Sequence, residues 1–265
     1  MKQPFLSIIT INFNDAAGLE RTMESVLGQQ FSAYEYIVID GGSKDGSVAV
    51  IEQRESKLAH WVSEKDTGIY NAMNKGIAVA QGEYLLFLNG GDLLTSETAL
   101  QDFVSHPSFH GDIIYGDYKF ENGEKVYPDQ LYPAYFMKTS LPHQSTFFKR
   151  EVFDQMGNYD ESYKMGGDRD FFIKCYLSGD FQFVHVPYFL AFFNLDGISN
   201  SESHQKQKKE EDERMFRANY GVFYEEAKKR LALEQQLKKQ QEKTAKGIAI
   251  RIKQKLKKLW TKGRW

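Results

Sequence analysis

The chain has 265 residues, of which 41% are hydrophobic and 14% aromatic, a composition that can fill one substantial globular core. Its single cysteine, Cys175, excludes an internal disulfide, and no apolar run reaches the about 18 residues that a membrane span requires. The N-terminal sequence MKQPFLSIITINFND passes from a polar start directly into a strand-like run, without the features of a signal peptide. We therefore expect a cytoplasmic protein.

The formal net charge of −2 conceals an uneven distribution. Residues 228–265 contain 14 lysines and arginines against two glutamates, a net charge of +12, whereas residues 1–227 carry −14. An acidic body needs a metal ion or a few placed bases to bind an anion, but a basic tail is attracted to anionic surfaces by itself. The body and the tail are therefore expected to have different roles.

Strand and helix patterns alternate in the first part of the chain. LSIITIN predicts a buried strand, and the apolar face of GLERTMESVLGQQ predicts a helix. The plan recurs with the strands YEYIVID, HWVSE and EYLLFLN, a helix capped by Asp45, and the helix YNAMNKGIAVAQG. Such alternation predicts a parallel sheet with helices on both faces.

Polar residues follow the predicted strands, and ligands bind at the carboxyl ends of the strands in sheets of this kind. These residues mark one candidate crevice: Thr10, Asn12, Asp40, Glu64, Asp66, Asn89 and Asp92. Two of them have simpler alternative roles. Asp40 could form the turn before Gly41, and Asp92 could cap a helix that starts near residues 95–99.

The regular alternation ends after Asp92. GDIIYGDYKF and GEKVYP predict a hairpin, and HQSTFFKR predicts a further strand. DRDFFIKCYLSG predicts a helix from near Asp168 to Gly179, and FQFVHVPYFLAFF predicts one or two strands. The second part of the chain is therefore expected to extend the same sheet in a less regular way.

Five stretches between residues 4 and 200 are informative through their order and spacing. They are SIITINFN, VIDGGSKDGS, SEKDTGIYNAMNKGIAVAQGEYLLFLNGGD, HQSTFF with the following FDQMGNYDESY, and GGDRDFFIK. Together they resemble the inverting family 2 glycosyltransferases of the GT-A fold, particularly bacterial enzymes that build surface polysaccharides. The resemblance implies an α/β domain over residues 1–200, with a mixed central sheet. Its Rossmann-like, nucleotide-sugar-binding half (1–95) is fused to an acceptor-binding half (96–200), and a helical, basic extension (201–265) follows.

The resemblance implies metal-dependent transfer of a hexose-type sugar from a nucleotide-diphospho-sugar, in the first place a UDP-sugar, to a glycan or lipid-linked glycan. Mn²⁺ or Mg²⁺ held by Asp92 would neutralise the negative charge of the departing phosphate. Family members usually carry Asn-Xaa-Asp-Asp here, whereas this chain has Asn89-Gly90-Gly91-Asp92, so a glycine replaces the first acid. One carboxylate with phosphate oxygens and waters is sufficient for either ion.

The resemblance also assigns the nucleotide-binding residues. Asp40 is expected to accept a hydrogen bond from the uracil imide. Thr10 and Asn12 are expected to line the same base pocket, and Asp66 corresponds to the other acid on the nucleotide side.

Asp168 is the expected catalytic base, because it corresponds to the family's acid at the start of a helix after a Gly-rich turn. Asp170 is the alternative, and the two acids lie about 200° apart around a helix, so only one of them can face the crevice. A role for Asp168 as an N-cap is also open. Four residues are expected to contact the donor sugar or the acceptor, although one of them, His143, fits a structural role equally well: Asn89, Asp117, His143 and Gln144.

Two other functions remain open on the sequence. The missing first acid is compatible with a catalytically inactive carbohydrate-binding or scaffold subunit. A sugar-nucleotide pyrophosphorylase would also combine a nucleotide-binding α/β domain with a metal, but SIITINFNDAAGLER lacks the Gly-rich, Arg-Lys signature of that class.

The C-terminal sequence GIAIRIKQKLKKLWTKGRW predicts a basic helix with an apolar face: Ile248, Ile252, Leu256, Leu259 and Trp260. Such helices lie in the interface of anionic membranes. Residues 228–265 are therefore expected to hold the protein peripherally on the inner face of the cytoplasmic membrane. A helix that packs on a partner subunit, including a second copy of the chain, and a solvated tail are the alternatives. Nucleic acid is not the expected ligand.

Overall fold

A computed structural model describes residues 3–193 and 205–262 of the chain. The chain folds as two compact units, Met1–Met215 and Phe216–Trp265. The boundary predicted at residues 200 and 201 lies outside the described residues. Within the described ranges, none of the helices combines the length and the apolar character of a membrane-spanning segment.

The first part of unit 1 confirms the predicted alternation of strands and helices. Its elements are β1 (Leu6–Asn12), α1 (Ala16–Leu27), β2 (Tyr34–Asp40), α2 (Ser47–Glu52), β3 (His60–Ser63), α3 (Ile69–Val79) and β4 (Tyr84–Asn89). All seven residues of β1 are buried, because the strand lies inside the sheet with helices packed against it. An apolar run of this kind is typical of a strand that is covered on both faces.

The second part of unit 1 contains the predicted hairpin, strands and helix, and also short elements that the sequence did not predict. Its elements are β5 (Leu93–Leu94), α4 (Ala99–Val104), β6 (Ile113–Phe120), β7 (Gly123–Lys125), β8 (Thr146–Lys149), α5 (Arg150–Met156), α6 (Gly167–Ser178) and β9 (Phe183–Phe192). The unpredicted elements are β5 and α5, and FQFVHVPYFLAFF forms one strand rather than two.

The nine strands form one mixed sheet in the order β3-β2-β1-β4-β8-β6-β9-β5, with β7 paired to β6. Strands β1 to β4 are parallel to their neighbours among themselves, whereas β8 is antiparallel to both β4 and β6. The register pairs Asn12 with Asp40 and Ile11 with Asn89. The carboxyl ends of β1, β2 and β4 therefore meet at one edge of the sheet.

A cluster of aromatic side chains joins the two parts of the sheet to α6. The ring of Phe87 on β4 lies 6.0 Å from that of Phe148 on β8, and Phe148 lies 5.4 Å from Phe153 on α5. Phe153 stacks on Phe171 of α6 at 4.7 Å. Burying a Phe side chain contributes about 1.5–3 kcal/mol, so these contacts fix the start of α6 near the end of β4.

Helix α7 (Gln205–Tyr220) packs on unit 1 through its first turns. Both carboxylate oxygens of Glu211 accept hydrogen bonds from the backbone N–H of Lys164, and Asp212 pairs with Arg169 at 3.2 Å. Met215 is fully buried. The predicted polar helix is therefore present, and as far as Met215 it forms part of the first unit.

Unit 2 consists of the end of α7, a short 3₁₀ turn (Gly221–Phe223) and α8 (Tyr224–Lys262), a helix of 39 residues. Within this unit the ring of Phe216 lies 6.4 Å from that of Tyr224. The predicted helical extension is thus present over the described residues. Of the predicted apolar face, Ile248 is 53% exposed. The side chains of the other members lie outside the described part of the chain.

Candidate active site

A cleft of about 1220 Å³ opens along the carboxyl ends of β1 and β4. Small-molecule pockets usually enclose about 300–1000 Å³, so this cleft is larger than the usual range. Seven of the predicted site residues line it: Asn12, Asp66, Asn89, Asp92, His143, Gln144 and Asp168. The other four do not: Thr10, Asp40, Asp117 and Asp170.

Asp40 is fully buried beneath the end of the cleft that is formed by β1, β2 and the loop around Asp66, here called the β2 end. Its carboxylate accepts five hydrogen bonds, from Asn12 Nδ2, Gly42 N, Ser43 N, Ser43 Oγ and Ser63 Oγ. Burial opposes the charged form, but these donors hold the pKa of Asp40 below its usual value. The geometry assigns Asp40 to fixing the turn at 41–43, and its contact with a base stays a prediction.

Asp66 differs from Asp40, because it faces the cleft and has few donors. Its Oδ1 accepts one hydrogen bond from Gly68 N at 3.1 Å. Burial and the negative charge of Asp40 raise the pKa of Asp66. A Cβ on Gly41 would lie 2.5 Å from Asp66 Oδ2, so glycine is needed at position 41 for this approach. Thr10 lies deeper, fully buried and hydrogen-bonded to Tyr36 Oη at 3.0 Å.

Asp92 follows β4 on a tight turn and is only 1% exposed. Its Oδ2 accepts a hydrogen bond from Asn89 N at 2.9 Å, and its own N–H donates to Asn89 O at 3.0 Å. Gly91 has φ 96°, a left-handed conformation that favours glycine. Helix α4 begins at Ala99 and is preceded by Thr98, so Asp92 does not cap it. The carboxylate of Asp92 instead holds the turn that closes the end of β4.

The donor set around Asp92 fits a metal that is bound mainly by a ligand's phosphates. Over residues 3–193 and 205–262, no group of three or more His, Cys, Asp or Glu side chains could hold a metal ion. Two buried amide oxygens in the same cleft, Asn12 Oδ1 and Asn89 Oδ1, have no hydrogen-bond partner among the residues that the structure describes. Mg²⁺ is commonly bound through one or two carboxylates, substrate phosphates and waters rather than by an all-protein cage.

Asp168 lies in the first turn of α6 at the centre of a hydrogen-bond network. Tyr70 Oη donates to its Oδ1 at 3.0 Å, and His143 Nδ1 lies 3.4 Å from its Oδ2. Burial opposes the charged form, but His143 and Tyr70 hold the pKa of Asp168 below its usual value. The N-cap position of α6 is Gly166, so Asp168 is not the N-cap.

His143 connects Asp168 to the end of β4. Its Nε2 lies 3.1 Å from Asn89 Nδ2. Burial opposes protonation, but Asp168 and the charge of Asp92 raise the pKa of His143. The amide of Asn89 suits both forms: as placed, its Nδ2 donates to neutral His143, and after a 180° rotation its unpartnered Oδ1 would accept from the protonated ring.

Tyr70 is the site residue that sequence reasoning missed. A tyrosine within an apolar helical pattern predicts core packing, and this residue is indeed only 4% exposed. Its ring packs against the start of α6, where a Cβ on Gly167 would lie 2.9 Å from Tyr70 Cδ2. The sequence feature that could have indicated this contact is the glycine pair in GGDRD, because a glycine next to Asp168 allows another side chain to approach the backbone closely.

Asp170 and Asp117 lie away from the cleft. Asp170 is 2% exposed and pairs with Lys174 at 2.6 Å, as the helical spacing from Asp168 predicts. Asp117 Oδ1 accepts from Tyr127 N at 2.8 Å and pairs with His185 Nε2 at 3.0 Å. Because Tyr127 lines the cleft, Asp117 supports the cleft wall from behind.

Sequence comparison places these features among known proteins. The chain matches Glycosyl transferase family 2 over residues 7–172. An uncharacterized glycosyltransferase of Mycobacterium tuberculosis is 36% identical over 182 residues, which are 66% of this chain and 70% of that protein. A PGL/p-HBAD biosynthesis glycosyltransferase of Mycobacterium bovis is 29% identical over 212 residues, which are 76% of this chain and 81% of that protein.

Solved structures share the fold at low sequence identity. S. aureus TarS 1-349 in complex with UDP-GlcNAc has a TM-score of 0.61 and 20% identity, over 74% of this chain and 60% of that chain. Mannosyltransferase PcManGT from Pyrobaculum calidifontis, in complex with GDP-Man and Mn²⁺, has a TM-score of 0.55 and 17% identity, over 73% of this chain and 57% of that chain. The match therefore spans less than two thirds of either structure.

The family match covers more than half of the chain and includes β1, β4 and the acid of α6 that form the cleft. It leaves the pyrophosphorylase alternative without support. The chain belongs to glycosyl transferase family 2 and is a glycosyltransferase.

Proposed function

We propose that this glycosyltransferase transfers a sugar with inversion from a nucleotide-diphospho-sugar, in the first place a UDP-sugar, to a glycan or lipid-linked glycan in surface polysaccharide synthesis. The observation that carries the proposal is the carboxyl group of Asp168, oriented by Tyr70 and His143, in the same cleft as Asp66 and Asp92. Structures with related folds contain UDP-GlcNAc and GDP-Man, which supports a nucleotide-sugar donor.

Asp168 acts as the general base. The acceptor hydroxyl oxygen attacks the anomeric carbon from the face opposite the nucleotide, its proton passes to Asp168, and the bond from that carbon to the phosphate oxygen breaks. Tyr70 and His143 each hold one carboxylate oxygen, so the side chain is preorganised for this transfer. Its place in the first turn of α6 further favours the charged form.

The nucleotide lies at the β2 end, and we propose Asp66, in place of the predicted Asp40, as the acceptor of the N–H of the base. This role suits Asp66 because its carboxylate faces the cleft and receives one hydrogen bond from Gly68, whereas five donors already surround Asp40. Asn12 lines the same end, and its buried Oδ1 accepts no hydrogen bond from the described part of the chain. A donor N–H from the nucleotide would satisfy this oxygen.

Asp92 holds Mn²⁺ or Mg²⁺ together with the phosphates of the donor. When bound, the ion neutralises the negative charge that develops on the departing diphosphate. The presence of Mn²⁺ in PcManGT supports a divalent ion. In this chain one carboxylate takes the place of the usual pair, so most of the affinity for the ion comes from the donor.

Asp168→Asn is expected to lower kcat for metal-dependent release of UDP from the UDP-sugar by about 10²–10⁴-fold, the span typical of a lost general base. Asparagine still accepts a hydrogen bond from Tyr70, so UDP-sugar affinity should stay within about twofold of the wild-type value. Steady-state kinetics and calorimetric titration measure the two quantities.

Asp170→Asn is the matched control, since Asp170 lies on the same helix but faces Lys174. It should retain kcat. A large loss of kcat in this variant alone would identify Asp170 as the base. Absence of UDP release from the wild-type protein with every nucleotide sugar tested would favour the inactive scaffold.

Asp92→Asn is expected to remove the dependence of UDP affinity on Mn²⁺, because the amide is a weaker ligand for a hard cation. Its Oδ1 can still accept from Asn89 N, so the turn and the melting temperature should be retained. Asp92→Ala is expected to lose both the Mn²⁺ dependence of UDP affinity and the wild-type melting temperature. Comparing it with Asp92→Asn therefore separates metal binding from stabilisation of the turn. Titrations with and without Mn²⁺ are the measurement, and a metal-dependent affinity that survives in Asp92→Asn would exclude Asp92 as the ligand.

Asp66→Asn is expected to weaken UDP binding by roughly tenfold or more while raising the free energy of unfolding at pH 7. The folded-state pKa of Asp66 is raised, so the stability linked to its protonated form is complete below the unfolded pKa and is lost as pH rises through the folded pKa. The increase in the free energy of unfolding that Asp66→Asn causes should therefore become smaller towards pH 4.

Asp40→Asn is the control, and it should lower the free energy of unfolding at pH 7 instead of raising it. The pKa of Asp40 is lowered, so its charged form stabilises the fold. Urea unfolding of both variants at pH 7 and pH 4 gives the comparison. An Asp66→Asn variant that is less stable at pH 7 and binds UDP normally would show that Asp66 is structural.

The basic tail is expected to bind anionic membrane surfaces and so to bring the enzyme to a lipid-linked acceptor. Residues 228–265 carry a net charge of +12, and α8 extends to Lys262. The intact chain should co-sediment with vesicles that contain anionic lipid, added salt should weaken this, and truncation after Ala227 should abolish it without changing UDP affinity. Equal sedimentation of both chains, or equal binding to neutral vesicles, would contradict a membrane role and favour a partner helix or a solvated tail.

A further inference from the structure

The cleft continues past Asp168 to a second end, formed by the β6–β7 hairpin and the segments that cover it. This hairpin end is lined by Tyr118, Lys125, Tyr127, Thr139 and Phe193. In the sheet order β6 lies three strand positions from β1, about 14 Å at the usual spacing between strands. Strands β4 and β8 lie between them, so the network of Asn89, His143 and Asp168 separates the hairpin end from the β2 end.

Lys125 is a half-buried cation that the hairpin holds in a fixed position. Its Nζ donates to Thr139 Oγ1 at 2.7 Å and lies 4.7 Å from the centroid of the Tyr127 ring. Among the described residues, no carboxylate oxygen lies within 4.0 Å of this Nζ. Burial, together with the charge of Arg169, lowers the pKa of Lys125. The ammonium is therefore partly desolvated and has no counter-ion from the described chain.

Other lysines in and near the cleft have different surroundings. Lys75 pairs with Glu64 at 2.8 Å, and Lys44 and Lys65 are exposed to solvent at the β2 end. A partly buried ammonium without a counter-ion costs free energy, which an anionic ligand would offset. Lys125 thus has the surroundings of a ligand-binding group rather than of a solvated charge.

The hairpin end also presents aromatic rings beside the ammonium. The ring of Tyr118 lies 6.2 Å from that of Tyr127 and 5.6 Å from that of Phe193. The backbone of Tyr127 is fixed by its hydrogen bond to the buried Asp117. Aromatic faces match the apolar faces of sugar rings, so this wall suits a sugar that carries a negative charge.

We infer that Lys125 binds an anionic group, a phosphate or a carboxylate, on the acceptor, with the partly exposed rings of Tyr118 and Phe193 covering the adjacent sugar. The inference rests on the proposed function, which places the donor at the β2 end and the acceptor beyond Asp168. A phosphodiester in a lipid-linked glycan and the carboxylate of a uronic acid would both supply the charge. The diphosphate of the donor is the competing source of an anion.

Titration calorimetry with three small probes tests the inference: phenyl β-glucoside, phenyl β-glucuronide and the phenyl phosphodiester of glucose. Each is titrated into the full chain with and without saturating UDP and Mn²⁺, so that the donor's phosphate site is filled in one arm. At least one charged probe is expected to bind about tenfold more tightly than the neutral glucoside with UDP present, the effect of one charge-assisted hydrogen bond.

Lys125→Met should remove this preference and leave UDP affinity unchanged, which also shows that the variant is folded. Lys149→Met, which removes a half-buried lysine outside the cleft lining, should keep both properties. The charged probe that binds more tightly shows whether the anionic group is a carboxylate or a phosphate. Equal affinities of charged and neutral probes in the wild type, or a loss of UDP affinity in Lys125→Met, would overturn the inference. Failure of UDP to bind the wild type would instead overturn the proposed function, and the arm without UDP would still show whether Lys125 selects anions.

Discussion

A half-buried carboxylate that must remain ionised needs hydrogen-bond donors, and the centre of this fold supplies them to Asp168. Tyr70 comes from α3, His143 from the turn before β8, and Asn89, which orients His143, from the end of β4. Each donor is fixed by the packing of its own element, including the aromatic contacts between β4, β8, α5 and α6. The mixed sheet therefore positions the proposed base, Asp168, between its parallel part and its hairpin.

Hydrogen-bond saturation distinguishes the acids of the cleft region, and under the proposed function it separates acids that hold the fold from acids that bind a ligand. Asp40 and Asp117 are surrounded by donors of this chain and hold a turn and a wall in place. Asp66 and Lys125 face the cleft with few partners. Burial raises the pKa of Asp66 and lowers the pKa of Lys125, and both changes favour the neutral form of the side chain. A ligand that supplies the missing partners would recover that free energy, which is how a binding site differs from a packed interior.

Much of the architecture could be predicted from local sequence, because β1, β2 and β4 are mostly apolar, buried runs and α1 and α3 have clear helical faces. The two-residue β5 and the seven-residue α5 are too short to leave a periodic signal. Asp92 and Asp168 were predictable as motif residues next to glycines. The partnership of Tyr70 with Asp168 spans 98 positions in the chain, and that of Asp117 with His185 spans 68, so only the folded sheet reveals which acids face the cleft.

The anomeric configuration of the sugar that is first released when water replaces the acceptor tests the role of Asp168 most directly. With a UDP-α-sugar that the protein hydrolyses, proton NMR spectra recorded before mutarotation identify the initial product. A single displacement assisted by Asp168 predicts that the β-anomer appears first. Initial release of the α-anomer would contradict inverting transfer and the assignment of Asp168 as its base.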